Sequence, residues 1–476
     1  MSQKLKEKAL GWVSGNELRI IEICSKIWEW AELGLIEFKS SALLADELEA
    51  NGFTVQRGVA GMPTAFVASY GSGETVIGVM GEYDALPGLS QKPIAQKEPL
   101  VSGGAGHGCG HNIYGTSGMA GVIAAKTAME SCGIKGTVKF FGCPAEENFS
   151  GKVFMVRDGV FRGVDSVLGH HPGVMNSATL KSCLAVNSVK FRFYGVAAHA
   201  AASPEQGRSA LDGVELMNVG VNYLREHVIP EARIHYVVDS GGLQPNVVPA
   251  FARSWYYIRA PEREQVESIY KRILDVARGA ALMTGTSFDV EFLEGTYNVI
   301  PNRTLAELVV KNMREVGTPK YSEEELRFAG EMAKTVSAEE KREQLRKSKR
   351  PGWEKLLDVD LDESVADPWG EGEVMPGSTD VADVSWQVPT VEFSTVSRVL
   401  GTPGHSWQAT AFSGMSIGHK SLLFASKVIA LSVIDLLSDP DLLVKASEEF
   451  RNRLGNRVYK SPLPPDAKPP LDAWKK

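Results

Sequence analysis

The residues best suited to chemistry lie between Gly103 and Asn112, in the sequence GGAGHGCGHN. Cys109 and His111 are separated by one residue, and a thiolate with an imidazole is a strong ligand pair for a first-row metal ion. Glycine has no Cβ, so a backbone this rich in glycine can bend tightly and let both side chains point at one metal. In an extended segment, alternation would also place Cys109 and His111 on the same face.

A glycine-rich loop also raises the alternative of a phosphate-binding site. The dinucleotide pattern G-x-G-x-x-G fails, because its last position is Cys109 when counted from Gly104 and His111 when counted from Gly106. The loop also lacks the lysine that follows the glycines of a nucleotide-binding P-loop. A lone Cys-x-His pair is a weak indication of a metal site. The interpretation therefore depends on further ligands elsewhere in the chain.

Acidic side chains follow two predicted strands. Asp84 follows the predicted strand 75–80, where it is placed to accept a hydrogen bond from a ligand histidine. Glu146 and Glu147 follow the short β-rich run 136–141. On an extended chain these neighbours point to opposite sides, so one can bind metal while the other faces the water that the metal activates. Exposed loop acids are the ordinary alternative for each of them.

Histidines supply the remaining candidates. His170 and His171 follow the predicted strand 164–168, and His405 lies in a loop rich in glycine and proline near the far end of the chain. Strands that alternate with helices and carry chemical groups at their ends are typical of open α/β sheets, which build sites beyond the carboxyl edge. The cysteine, the glutamate pair and the histidines fit that edge.

The elements that position these groups are interrupted by a segment of different character. The pattern predicts a ferredoxin-like module of order β-α-β-β-α-β, over residues 185–194, 211–226, 234–239, 253–259, 262–284 and 287–293. Inserted domains beside a cleft commonly act as lids, and His199, Asn246 and Arg259 are the polar residues best suited to reach a substrate. Plain surface solvation is an equal alternative for these three residues. The predicted catalytic domain has two parts, residues 1–184 and 301–460. The inserted lid and dimerisation domain is predicted at residues 185–300, and a proline-rich tail at residues 461–476.

Two other segments have distinctive composition. Residues 322–357 are charged and helical, which predicts a solvated helical excursion. Residues 421–437 form the longest apolar stretch, but Lys427 interrupts it and it is short for a membrane span, which favours a core helix.

Composition limits the classes of partner. The chain has 476 residues, of which 43% are hydrophobic and 23% charged, enough for two or more globular domains. Its net charge of -7 argues against nucleic acid or an anionic membrane surface as the main partner and favours small molecules. The five cysteines are odd in number and scattered, and no apolar signal segment opens the chain. We therefore expect a reducing, cytoplasmic setting.

Several motifs together resemble the dinuclear metallo-amidohydrolases of the aminoacylase and carboxypeptidase superfamily. They are GEYDALPGLS, GHGCGHN, GCPAEE, the histidine before Pro172, GVAAHAAASPEQGRSALD and GTPGHSWQ. The similarity covers nearly the whole chain and is greatest to the branch that contains p-aminobenzoyl-glutamate and indoleacetyl-amino-acid hydrolases. It implies an α/β zinc-peptidase-like catalytic domain with a central, mostly parallel sheet and an inserted ferredoxin-like α+β lid and dimerisation domain.

The resemblance also assigns roles. It implies that two divalent metal ions, Zn or Mn, are held by Cys109, His111, Glu147, His171 and His405. Glu146 would be the general base, and His199 the lid histidine that the family contributes across a dimer interface. His171 is preferred to His170 because the family places its ligand directly before the residue matching Pro172.

The expected reaction is hydrolysis of the amide bond of an N-acyl amino acid, with an aromatic acyl group on glutamate or aspartate. Arg259 is a candidate partner for the substrate α-carboxylate. The expected assembly is a homodimer through the lid domain, with a hetero-oligomer containing a related subunit as the alternative. Two other functions stay open at this point: an aromatic amine deaminase on the same fold, and a non-catalytic binding protein with a structural metal site.

Overall fold

The computed structural model of the protein describes residues 2–474. Its strands are β1 (Thr54–Arg57), β2 (Phe66–Gly71), β3 (Val76–Glu82), β4 (Thr137–Cys143), β5 (Ser166–Gly173), β6 (Ser182–Cys183), β7 (Ala185–Tyr194), β8 (Arg233–Ser240), β9 (Phe251–Ala260), β10 (Ser287–Thr296), β11 (Val374–Met375) and β12 (Thr390–Val396). Its α-helices are α1 (Ser2–Gly15), α2 (Glu17–Trp30), α3 (Phe38–Ala50), α4 (His111–Cys132), α5 (Glu146–Phe149), α6 (Gly151–Arg157), α7 (Ala210–Leu224), α8 (Arg263–Thr284), α9 (Arg303–Val316), α10 (Glu323–Ala333), α11 (Ala338–Ser348), α12 (Val381–Ser385), α13 (Trp407–Ser413), α14 (Ser416–Ser438) and α15 (Pro440–Leu454).

The larger sheet has six strands in the order β1-β2-β4-β3-β5-β12. Strands β4, β3, β5 and β12 run parallel to one another, and β2 and β1 extend the sheet beyond β4 with antiparallel pairing. Strand β3 is buried over almost its whole length, which is typical of a parallel strand covered on both faces. The predicted α/β fold with a mostly parallel central sheet is confirmed.

Helix α4 lies unusually close to the end of β3 because it carries glycine where the two backbones meet. A Cβ on Gly115 would lie 2.5 Å from the Glu82 carbonyl oxygen, and a Cβ on Gly118 would lie 2.8 Å from the Met80 carbonyl oxygen. This close packing brings His111, the first residue of α4, to the carboxyl end of β3. The helix thereby positions a candidate metal ligand.

Helix α14 packs against α4 in the main core. By length and composition it is a candidate membrane span, but 78% of its most apolar window is buried inside the protein. Its sequence predicted a core helix, and the helix packs as one.

A four-stranded sheet is antiparallel, with the order β10-β7-β9-β8, and β6 and β11 form a separate parallel pair. Helices α7 and α8 pack on it and share a separate apolar core that includes Phe191, Tyr256 and Ile273. The chain order β7-α7-β8-β9-α8-β10 is the ferredoxin-like order that the sequence predicted. Strand β7 matches its predicted residues 185–194.

The charged segment 322–357 is less solvated than its composition suggests. Ala329, Met332 and Leu345 on α10 and α11 are buried. Gln344 accepts a hydrogen bond from the Gly401 N–H (2.7 Å) and donates one to the Thr402 carbonyl (2.9 Å). The prediction of a solvated segment missed an apolar face that lies between the charged residues. Through Gln344 the segment also fixes the loop that leads to His405.

The proline-rich tail lies along the surface. Leu463 is buried, and the Trp474 Nε1–H donates a hydrogen bond to the Gly34 carbonyl (2.8 Å). Trp474 also meets Phe149 edge-on, with ring centroids 5.8 Å apart.

The packing of α4 on β3 makes a testable prediction. Gly115→Val should lower the melting temperature by at least about 3 °C, because the new side chain overlaps the β3 backbone. Gly11→Val is the matched control, since a Cβ there has nothing within 4 Å. Thermal unfolding followed by circular dichroism measures both, and equal melting temperatures for the two variants would contradict the packing argument.

Candidate metal centre and active site

The predicted site residues around the six-stranded sheet converge at one edge of it. They follow parallel strands, whose carboxyl ends meet at the same edge. Asp84 follows β3, α5 with Glu146 and Glu147 follows β4, His171 lies near the end of β5, and His405 lies in the loop after β12. The glycine-rich loop that ends at α4 adds Cys109 and His111.

Two glycines shape this loop. A Cβ on Gly106 would lie 2.1 Å from the Leu89 carbonyl oxygen. Gly110 has φ +89° and packs on Pro172, and His111 begins α4 directly after it. The expectation that Cys109 and His111 converge by alternation in an extended segment is therefore wrong, because a left-handed turn into a helix brings them together.

Cys109, His111 and His171 form the first group of possible ligands, with one donor atom of each residue within 4.8 Å of the others. The Cys109 Sγ and the His171 Nε2 are 3.2 Å apart. Thiolate and imidazole nitrogen are donors that suit Zn.

His170 is occupied elsewhere, which leaves its neighbour His171 for the metal. The His170 Nδ1 lies 2.9 Å from the Ser117 Oγ, and its Nε2 lies 2.8 Å from the Thr395 Oγ1. His170 is fully buried, and burial lowers the pKa of its imidazole to about 3. Both ring nitrogens of His170 thus serve the packing of α4 and β12.

Cys109, Glu147 and His405 form a second group that shares its cysteine with the first. The His405 Nε2 lies 3.2 Å from the Glu147 Oε2. His405 has φ +51°, and its side chain is 56% exposed, whereas that of Glu147 is 4% exposed. A non-glycine residue in this conformation is strained, and such strain clusters at functional sites.

Glu82, His111 and Glu146 form a third group, which contains a residue that the sequence interpretation missed. The Glu82 Oε2 is 3.1 Å from the His111 Nε2. Glu82 lies two residues before Asp84, so the two-residue period of a strand would have indicated that both face the same side.

The glutamate pair is arranged differently from the prediction. Glu146 and Glu147 begin the single helical turn of α5 after Ala145, whose φ is +59°. The extended-chain argument for their opposite directions is therefore wrong. Glu146 faces the group with Glu82, and Glu147 faces the group with His405, because a helical turn also separates neighbouring side chains.

Asp84 lies where a carboxylate orients a ligand histidine. Its Oδ1 is 2.8 Å from the His111 Nδ1, and its Oδ2 accepts the Glu147 backbone N–H at 2.9 Å. With Nδ1 held by Asp84, the Nε2 of His111 is directed at the centre of the cluster.

Buried polar atoms without hydrogen bond partners converge on this cluster. In the described part of the chain they include the Glu147 Oε1, together with the Glu82 Oε2 and the His111 Nε2, which lie 3.1 Å apart without hydrogen bond geometry. Buried polar atoms normally have partners, so several that lie together in one cluster indicate a cation-binding site. The sulfur, nitrogen and oxygen donors fit a divalent ion such as Zn or Mn.

The electrostatics also favour a cation. Burial, aided by Glu147, raises the pKa of the Cys109 thiol to about 12. Burial raises the pKa of Glu146 well above its usual value, and Glu82 and Glu147 add to this effect. Burial opposes a charge on His111, but Glu82 and Asp84 outweigh it and raise the pKa of the imidazole. A bound cation would stabilise the ionised forms of the thiol and the carboxyl groups.

A buried ion network that the sequence did not indicate fixes Glu82. The Lys152 Nζ lies 2.6 Å from the Glu82 Oε1 and 2.6 Å from the Asp380 Oδ1. The backbone N–H of Lys152 also donates a hydrogen bond to the Asp380 Oδ2 at 2.8 Å. Lys152 is fully buried, so these carboxylates are essential partners for its charge.

The smaller unit consists of the four-stranded sheet with α7 and α8. Among the described residues, none of its three predicted site residues contacts the metal cluster. His199 and Asn246 are exposed, and the His199 Nδ1 accepts the Ala202 N–H at 3.1 Å. Arg259 donates from Nη1 to the Ser378 Oγ at 3.2 Å and lies over the Tyr257 ring.

The contact between Asp84 and His111 can be tested directly. Asp84→Asn should weaken metal binding about 10- to 100-fold, because the amide cannot fix the imidazole as a carboxylate does. Metal affinity would be measured by competition with a chromogenic chelator, with Asp165→Asn, at the far end of the sheet, as the control. Unchanged affinity in Asp84→Asn would refute the orienting role.

Comparison with known proteins agrees with this geometry. Residues 78–343 match the model of peptidase family M20/M25/M40. One subunit of p-aminobenzoyl-glutamate hydrolase from Escherichia coli (strain K12) is 41% identical, covering 96% of this chain and 97% of the relative. An Xaa-Arg dipeptidase from Mus musculus is 29% identical over 94% of this chain and 93% of its own length.

Solved structures share the fold. A dinuclear metal binding peptidase of the M20 family from Bacillus subtilis superposes with a TM-score of 0.56 at 17% identity, covering 89% of this chain and 99% of that chain. The sequence resemblance is thus confirmed, and the chain belongs to peptidase family M20/M25/M40, a family of metal-dependent hydrolases of amide bonds.

Proposed function

We propose that the protein hydrolyses the amide bond of an N-acyl amino acid, with an aromatic acyl group on glutamate or aspartate. The observation that carries this proposal is the convergence of the sulfur, nitrogen and oxygen donors beside the carboxyl group of Glu146. The acyl-glutamate substrate in the name of the Escherichia coli relative, 41% identical, supports the substrate class.

In this proposal Cys109, His111, Glu147, His171 and His405 hold two divalent ions, Zn or Mn. The ions, when bound, would supply Lewis acidity to the amide carbonyl and to a water molecule. Asp84 fixes the ring of His111, and the ion pair with Lys152 fixes Glu82 behind it.

Glu146 is the proposed general base. Its carboxyl group faces Glu82 and His111 but belongs to neither of the two groups that contain Cys109. It takes a proton from the attacking water and passes it to the leaving amine nitrogen. A carboxylate in this position can take up a proton in the first step and release it in the second.

Replacing the base while keeping its shape tests this role. Glu146→Gln should retain its metal but lower kcat by about 10²- to 10⁴-fold. The assay measures free amino acid released from N-acyl amino acids and, in parallel, released ammonia. Glu205→Gln, on the exposed surface of the smaller unit, is the control. Near-normal turnover in Glu146→Gln would remove it from this role, and ammonia without amino acid would favour the deaminase.

The smaller unit is proposed to act as a lid and as the dimer interface. His199 would polarise the scissile carbonyl of a substrate bound in the active site of the partner chain, while Asn246 and Arg259 would contact the substrate. His199 is exposed and belongs to none of the possible ligand groups of its own chain, which supports action across an interface. Because the Escherichia coli relative is named as one of the subunits of its enzyme, assembly with a related chain is the alternative, and sedimentation of the purified chain alone separates the two.

A mixing experiment tests action across the interface. His199→Ala and Glu146→Gln are each expected to be inactive alone. Mixed dimers should recover up to about a quarter to a half of wild-type activity, because some sites then combine an intact base with an intact histidine. Activity would be assayed after co-expression with two different affinity tags. No recovery in verified mixed dimers would contradict the role in trans.

A further inference from the structure

Among the described residues, one buried cation has no anionic partner. The buried lysine and arginine side chains of the described residues are Lys6, Lys152, Lys181, Arg263, Arg350 and Arg398. The first five each form an ion pair with a carboxylate. Arg398 is 9% exposed and forms no ion pair in the described chain, and its Nε and Nη1 have no hydrogen bond partner. A buried unpaired charge is unfavourable, so an anion from outside the chain would stabilise this guanidinium.

Arg398 lies directly beside the metal cluster. It follows the end of β12 and lines a cavity of about 360 Å³ together with His171. The cavity therefore connects an unpaired cation with the proposed reaction centre.

The other charged groups of the cavity are already engaged. Lys181 is paired with Glu373 at 3.0 Å, and Glu392 accepts a hydrogen bond from the Tyr114 hydroxyl at 3.1 Å. Trp369 and Met375 add apolar surface to the same wall. The cavity thus offers one free cation within a partly apolar lining, which suits a carboxylate carried on a short carbon chain or a ring.

The backbone that carries Arg398 is held in place. The Gln344 side chain binds the backbone of Gly401 and Thr402, and the Leu400 N–H donates to the Asp360 carbonyl at 2.8 Å. A residue on such a fixed loop loses little conformational freedom when a ligand binds.

We propose that Arg398 binds the side-chain carboxylate of a glutamate or aspartate substrate in the cavity beside His171, and that this contact makes the enzyme selective for acidic substrates. The inference rests on the proposed amide hydrolysis. A guanidinium binds a carboxylate through two parallel hydrogen bonds, which fixes orientation as well as charge. A substrate ending in glutamate or aspartate has two carboxylates, so Arg398 and Arg259 can each bind a different one.

The test pairs a change in the protein with a change in the substrate. The substrates are N-benzoyl-glutamate and its two mono-amides, and the variants are Arg398→Met and Arg398→Lys. Arg398→Met should lower kcat/KM for the diacid about 10- to 100-fold, mainly through KM. It should have little effect on the mono-amide in which the side-chain carboxylate is replaced by an amide. Arg398→Lys should restore part of the loss.

Lys181→Met is the matched control, because it removes a cation of the same cavity that already has a partner. Its preference for the diacid over the mono-amides should stay within about twofold of the wild type. Equal losses for all three substrates in Arg398→Met, or the same loss of preference in Lys181→Met, would overturn the proposal.

Two measurements that need no turnover separate this inference from the proposed function. Calorimetry of the metal-loaded protein should show that glutamate binds the wild type more tightly than glutamine does, and that Arg398→Met removes the difference. Arg398→Met should also melt no lower than the wild type, because it removes an unpaired buried charge, whereas a structural arginine would lower the melting temperature. If no N-acyl amino acid is hydrolysed, the proposed function fails while these measurements still decide the role of Arg398. A wild type without preference for glutamate, or an Arg398→Met variant that keeps it, would overturn the role.

Discussion

The structure depends on how negative charge is compensated at the carboxyl edge of the large sheet. Glu82, Asp84, Glu146 and Glu147 lie there together, and all but Asp84 have a raised pKa because burial disfavours their charge. Lys152 compensates part of this negative charge through its ion pairs with Glu82 and Asp380. The remaining unpartnered atoms face the side of Cys109, His171 and His405, where two cations would complete the compensation.

The rest of the fold can be understood as support for this edge. Glycines in α4 and in the loop before it allow the backbone to approach β3 and Leu89, which places His111 and Cys109. The segment 322–357 fixes the loop between Arg398 and His405 through Gln344. A rigid surround of this kind keeps ligands in position before metal or substrate arrives.

The sequence predicted the fold class and located Cys109, His111, Glu147, His171 and His405 in one cluster, because the motifs lie at successive strand ends and resemble a known family. It predicted their local conformation less well. Left-handed turns at Gly110 and Ala145 replace the expected extended chain, and such turns follow from tertiary contacts rather than from composition. Lys152 and Arg398 were missed for a related reason, since no local pattern reveals that a lysine or arginine will be buried, and only the folded chain shows which of them has a partner.

The decisive measurement is the number of divalent ions bound per chain, determined by elemental analysis after equilibration with Zn or Mn and gel filtration. We expect two ions per chain, together with protection of Cys109 from alkylation that is lost on treatment with a chelator. A chain that retains no metal, or whose Cys109 reacts equally with and without the chelator, would contradict the proposed compensation of charge by two cations.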